Sequence, residues 1–435
     1  MDKLILIAIF LSPFRNLIIF SLGFMDLRII QAIWTLVFMI ILIKKAVNKQ
    51  VLIKDSVISR ESKLLFFLYI SILAISCLYS ININMSLKEL IQYIYLFLLF
   101  AVIYLRAKDK VFLDKIVTTI VISNIILVLV CILSYFSGNA IIPSYIVYSN
   151  GTVVANTNLF EINTLMENGN TIARLHGALG LGPTAIANIV LIQSMFVNYM
   201  IRKGKGLVKF GLIALLLCNL VTIVLTYSRA GILLFVFMHI FTIISKDHVK
   251  NFFIILMVAC TAIAFLRVFP DVLARILETF NPEQKSSKYH FVFWLMSIMT
   301  GWDNILTGIG LGNMTYFTDN YTYLFQQFNI NRAAVNPSHN FILQIWSEQG
   351  AFGFLISIAL VVKPILSYFR TYKLSDRNNV YFFILLAYIS SLICNLTNNN
   401  YYTEPFWMIF GLAYSIEFKR LKTGLALKNY GELHA

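Results

Sequence analysis

Arg229 in LTYSRAGILLF and His339 in NPSHNFILQIWSEQGAFGFL are the residues best equipped for chemistry in an otherwise apolar chain. A guanidinium presents a planar fork of donors that matches phosphate oxygens. An imidazole titrates near neutrality and can take up or release a proton during a reaction. Arg174, in RLHG, is a further cation outside the charge-rich loops, as are Arg275, Lys285, Lys288 and Arg332. The last four share their loop with Asp271, Glu278, Glu283, Asp303 and Asp319, so the loop is no diffuse basic surface and its cations read as individually placed. Each candidate also has a plain structural reading. Arg229 could snorkel to lipid headgroups, and His339 could be an interfacial histidine satisfied by backbone. Glu348 stands nine residues beyond His339, half a turn round and about 13 Å along a helix. That separation argues against a direct relay and leaves Glu348 as a structural or catalytic candidate.

The elements that must carry these residues are membrane helices. Of 435 residues, 59% are hydrophobic and 13% charged, and mean hydropathy is +0.78, more apolar surface than a soluble core absorbs. Roughly twelve apolar stretches are long enough to span a bilayer. Their centres are Phe10, Val37, Ile72, Phe97, Leu127, Leu191, Leu216, Val236, Met257, Ile358, Ala387 and Ile409. The fold class expected is an all-α polytopic bundle. The net charge of +15 comes from Lys and Arg gathered in alternate loops, which is the positive-inside pattern and not a nucleic-acid surface; it puts both termini in the cytoplasm. The first stretch reads as an anchor and not a cleaved signal. Cys77, Cys131, Cys218, Cys260 and Cys394 all fall in spans without paired spacing, which indicates neither a disulfide framework nor a zinc site.

The expected organisation is spans one to five in 1–136, an outer loop in 137–180, spans six to nine in 181–269, a large outer loop in 270–340, spans ten to twelve in 341–418 and a tail in 419–435. Loops as long as the two outer ones are usually functional or disordered. Within the second, YHFVFWLMSIM (289–299) suits a helix lying at the interface, and GIGLGN (308–313) reads as a flexible turn that is no dinucleotide fingerprint. Pro337 and Ser338 suit a helix start. If that helix continues, His339, Leu343, Trp346, Gly350 and Gly353 share one face, and the glycines admit a neighbouring helix. Among the other histidines, His176 reads as a loop residue, His239 as packing, His290 as an interfacial anchor, and His248 and His434 as cytoplasmic.

With these residues placed, the chain resembles the O-antigen ligase and polymerase superfamily, which includes Wzy-type polysaccharide polymerases. Arg229 and Leu233 match an Arg-x3-Leu element. His339, Asn340, nine residues, Gly350 and Gly353 match a longer motif, with Phe354 departing where members carry Thr or Val. SSKYHFVFW followed by LTGIGLGNM resembles the family's loop of an arginine, a tryptophan and a Gly-rich turn, with Lys288 where many members have arginine. RLHGALGLGPTAIAN resembles the family's Arg–Gly–Pro–Asn segment. The resemblance covers about 174–354 by motif and the rest by topology alone.

The resemblance implies an inner-membrane, GT-C-like glycosyltransferase facing the periplasm, with an undecaprenyl-diphosphate-linked glycan as donor and neither metal nor cofactor. The residues suit that chemistry. A glycosidase needs a carboxylic acid to protonate a poor leaving group, whereas diphosphate departs as a stable anion and needs cations, with a base for the acceptor hydroxyl. His339 is the expected base and Arg229 the expected diphosphate ligand. Arg174, Lys288, Arg275, Arg332 and Asn340 are the expected substrate-binding residues. The Phe354 departure, Lys288 and the sizeable first outer loop favour a polymerase. A ligase, with lipid A–core as acceptor, is the alternative, and a lipid-linked oligosaccharide flippase is the reading from another class. Membrane lipids and a chain-length regulator protein are the further partners expected.

Overall fold

The computed structural model describes residues 2–21, 26–47, 59–148, 150–156, 160–165, 171–175, 181–243, 285–330, 338–372 and 378–417. Its long helices are α1 (Asp2–Leu11), α2 (Ile29–Val47), α3 (Arg60–Ser76), α4 (Ile83–Ala107), α5 (Lys110–Ser137), α6 (Pro183–Lys203), α7 (Gly206–Leu225), α8 (Arg229–Ile243) and α9 (Lys285–Asp303). Short α10 (Met314–Phe317) and α11 (Thr322–Gln327) precede α12 (Phe341–Thr371), α13 (Val380–Cys394) and α14 (404–417). Every expected span centre falls on a helix except Met257, which lies outside the described residues. Among the described residues, five helices, α4, α5, α6, α7 and α12, are long and apolar enough to cross a membrane. At ten residues, α1 falls short of that length.

Local sequence sets many helix starts. Ser59, Asn82, Asp109, Asn340 and Asn379 cap α3, α4, α5, α12 and α13 by accepting backbone N–H bonds, which satisfies donors the helix itself leaves free. Pro183 opens α6, where its missing N–H costs nothing. Large apolar side chains such as Phe67, Phe136, Leu207 and Phe237 are exposed on these helices, as expected of surfaces bathed in lipid.

Buried amides tie the central helices together. Asn124 of α5 donates to Gln193 of α6 (3.1 Å) and to Asn219 of α7 (2.8 Å), and Asn219 donates back at 3.0 Å. Asn198 of α6 donates to Thr242 of α8 at 2.7 Å. In an apolar medium such side-chain bonds hold neighbouring helices in register. A Cβ on Gly231 would lie 2.9 Å from the Cβ of Ala187, so α8 runs close against α6 just after Arg229.

The bundle is helical as expected, and short strands form between its helices. Strand β1 (Ile18–Ser21) pairs antiparallel with β2 (Asp26–Arg28) and parallel with β3 (Ser144–Tyr148), which in turn pairs with β4 (Val153–Asn156). Strands β5 (Phe160–Leu165) and β6 (Thr171–Leu175) form a separate hairpin. SYIVY and VVAN are rich in β-branched and aromatic residues, but β1 reaches β3 across more than a hundred residues, and no local pattern announces that pairing.

GIGLGN is not a flexible turn. It wedges into a break in α12 at Gly350, whose φ is 62° and ψ −167°. Ile309 N donates to Ser347 O (3.0 Å), Gly310 N to Glu348 O (2.9 Å), and Ala351 N to Ile305 O (2.7 Å). The loop thereby satisfies backbone groups that the broken helix would otherwise bury unpaired. The break also ends the single face expected to run from His339 to Gly353, and the partner that Gly350 admits is this loop, not a helix. A Cβ on Gly350 would stand 2.7 Å from Leu306 C, and one on Gly308 would stand 2.4 Å from Glu348 C. Both glycines also have positive φ. Gly308→Ala and Gly350→Ala are therefore expected to destabilise by on the order of 3 kcal/mol or more, read as lost monodisperse protein and lowered Tm in detergent. Gly211→Ala, where no neighbour approaches, should leave both unchanged.

Candidate active site

Two chain segments carry the cations of one cavity of about 910 Å³, and a third adjoins it through a ring contact. The first is the α7–α8 turn. Thr226 Oγ1 accepts from Ser228 N (3.2 Å), and Ser228 Oγ accepts from Gly231 N (3.3 Å). Arg229 is thus the first residue of α8, and it lines the cavity. The turn between spans is as short as the sequence suggests. Arg174, at the end of β6, braces it by donating from Nε to Thr226 O at 3.0 Å, and it lines the same cavity.

The second segment is α9, whose Ser287, Lys288, Phe291 and Trp294 line the cavity with His290, a spacing that puts them on one side of the helix. Its other side, Val292, Phe293 and Met296, packs on Ile309, Met314 and Phe325 in a small second core. The indole of Trp346 lies over Gly301, where a Cβ would be 2.0 Å from Nε1, and Nε1 donates to Ile298 O at 3.2 Å. This contact and the wedge at Gly350 fix α9 against α12, and so fix Lys288 and His290 against the start of α12.

That start is the third segment. His339 precedes the helix with φ 49°, and Asn340 is the cap, its Oδ1 accepting from Ile342 N (3.0 Å) and Leu343 N (3.2 Å). Phe341 N donates to Asn395 O at 3.1 Å, which anchors the segment to the end of α13, and Thr397 and Asn398 just beyond complete the cavity wall. The His339 ring meets the His290 ring at 5.1 Å and 68°. His290 lines the cavity and His339 lies against it.

Burial draws both imidazoles toward the neutral form. His290 is pulled down to about 4, first by desolvation and then by the charges of His339 and Arg229. His339 is lowered from the ordinary 6.5 by desolvation. Each is a neutral base at neutral pH. The cavity wall has Arg174, Arg229 and Lys288 and, among its described residues, no carboxylate. Backbone strain gathers here too. Tyr227 (φ 50°) and Asn329 (φ 51°) line the cavity, and with His339 they are the non-glycine residues of positive φ among the described residues. Such strain, about 1–3 kcal/mol each, persists where surrounding structure enforces it and clusters at functional sites.

Arg229, Arg174 and Lys288 thus share one cavity wall; His339 adjoins it through the His290 ring, and the Asn340 side chain is engaged in capping α12. Arg275 and Arg332 lie outside the described residues, as does His176. Glu348 is elsewhere: fully buried, accepting from Gln344 Nε2 at 3.0 Å, and in electrostatic range of Glu89 of α4. His290, expected to be an interfacial anchor, is the residue the sequence reading undervalued. It stands three residues after Ser287 and four before Trp294, which line the same wall, and that helical spacing was the available signal. No group of metal-ligating residues occurs among the described residues.

Residues 213–358 match the family model described as O-antigen ligase. The match bears out the resemblance to the O-antigen ligase and polymerase superfamily and supports a function of that type. With the five apolar helices, it supports a bacterial membrane protein. No curated protein matches the chain.

Proposed function

We propose that the protein is a glycosyltransferase that moves a glycan from undecaprenyl diphosphate onto a sugar hydroxyl, polymerising repeat units at a cavity open to the periplasm. The observation that carries this reading is the convergence of three cations from separate segments on one cavity, with no carboxylate among its described residues and two neutral imidazoles at its edge. Attack of the acceptor oxygen on the anomeric carbon forms the new glycosidic bond. The bond to the diphosphate oxygen breaks, and its electron pair stays on the leaving group. Arg229, with Arg174 and Lys288, holds the growing charge. His339 takes the acceptor's proton, and its contact with His290 orients the ring. The cation set, and no carboxylic acid, suits a leaving group that departs without protonation.

The ligase reading has its own support in the description of the matched family model. Deleting the gene separates the two. Loss of a polymerase leaves single repeat units attached to lipid A–core, whereas loss of a ligase leaves core bare while lipid-linked polymer accumulates. An unchanged glycan profile on gels of extracted lipopolysaccharide overturns both.

A further inference from the structure

A second cavity, of about 360 Å³, lies between α2, α4 and strand β2, within the usual range of about 300–1,000 Å³ for small-molecule sites. It shares a partition with the first. In the segment joining α13 to α14, Thr397 and Asn398 face the cation-lined cavity and Tyr402 faces this one, and Asn400 Nδ2 donates to Thr184 O in the first cavity's wall at 3.4 Å.

The two cavities differ in charge. The second is balanced: Arg15, Arg28 and Lys88 share its wall with Asp26 and Glu89, and Arg15 Nε is held 3.0 Å from Glu404 Oε2 behind it. With both signs interleaved, such a wall attracts a diphosphate less than the first cavity's wall. It does offer closely interleaved donors and acceptors. Gln31 Nε2 donates to Gln92 Oε1 at 2.7 Å, Arg28 Nε to Asn16 Oδ1 at 2.9 Å, and Gln92 Nε2 to Tyr402 O at 3.4 Å. Amides, carboxylates and guanidinium each have further donor or acceptor positions beyond these bonds, and the rings of Tyr95 and Tyr402 complete the wall. A neutral ligand dense in hydroxyls suits that alternation. Polar faces on two helices of so apolar a chain are costly unless they meet polar matter.

We propose that this second cavity binds sugar hydroxyls of the acceptor glycan remote from the reacting one, while the first holds the donor's diphosphate and the reacting hydroxyl. The inference rests on the glycosyltransferase reading and adds to it a separate acceptor site. The test uses full-length protein in nanodiscs and two phosphate-free probes: the oligosaccharide released from the host's own lipid-linked pool, and the host's core oligosaccharide. Isothermal titration should show one of them binding wild type and Arg229→Ala equally. Thr35→Trp, which fills the cavity from an exposed position, and Asp26→Asn, also exposed, should each weaken binding about tenfold, the effect of losing one or two hydrogen bonds. The released oligosaccharide as ligand supports a polymerase acceptor; core oligosaccharide supports the same site serving a ligase. Unchanged affinity in Thr35→Trp, loss only in Arg229→Ala, or no binding of either probe overturns the proposal. Glycan transfer measured alongside separates the two levels. Transfer that persists with unaltered acceptor KM in Thr35→Trp defeats the second site alone, whereas a wild type without transfer defeats the glycosyltransferase reading.

Discussion

Arg229→Ala is expected to lower glycan transfer by about 100- to 1,000-fold, the usual cost of removing one preorganised group that stabilises developing charge. The loss should fall mainly on kcat, because charge on the leaving diphosphate grows toward the transition state. Arg229 opens α8, and a cation at a helix N-terminus faces the positive end of the dipole, at a cost of about 0.3–1 kcal/mol. Thermal unfolding of the purified variant checks that the loss of transfer is read on folded protein. The position makes sense when an anion binds, since helix terminus and guanidinium then act on the same charge. Arg229→Lys should recover part of the rate, keeping the charge without the planar fork. Transfer near the wild-type rate by a folded Arg229→Ala protein would remove this residue from the mechanism.

His339→Ala is expected to cost about 100- to 10,000-fold in transfer, the range for a positioned general base. The pH dependence follows from burial. With its pKa lowered below 6.5 by desolvation, the His339 imidazole is neutral at pH 7 and competent to accept a proton. Activity should hold as pH falls to 6.5 and decline below it as the ring protonates. The same sign applies to stability. His290, at about 4, is neutral when folded but takes up a proton when unfolded below pH 6.5, so its contribution is complete above that pH and is lost as pH falls toward 4. His290→Ala separates the two rings. As a positioning residue it should move the acid limb of the rate profile toward 6.5, because removing one imidazole opens the pocket and re-solvates the other. A profile in His339→Ala with the same acid limb and normal rate would leave the base elsewhere.

The amino-acid sequence determined the helices, most of their starts and the candidate residues, because those are short-range properties. Apolar runs of span length mark α4, α5, α6, α7 and α12, side chains such as Asp109 and Asn379 cap their own helices, and Arg229 and His339 stood out as polar groups at apolar helix ends. What only the tertiary structure decided lies in contacts between distant segments. Nothing near Gly350 reveals that its break receives the loop around Gly308, since the fit depends on two backbones meeting at distances a Cβ forbids. The extended helical face through His339 was the natural reading of a 3.6-residue pattern, and it failed because that long-range hydrogen bonding outweighs helix continuity. His290 acquired its place by the same route: the Trp346–Gly301 contact sets α9 in register with α12, and only then do two imidazoles, 49 residues apart in sequence, touch. Charge balance likewise belongs to cavities and not to segments, because it depends on which side chains of α2, α4 and strand β2 end up facing one another.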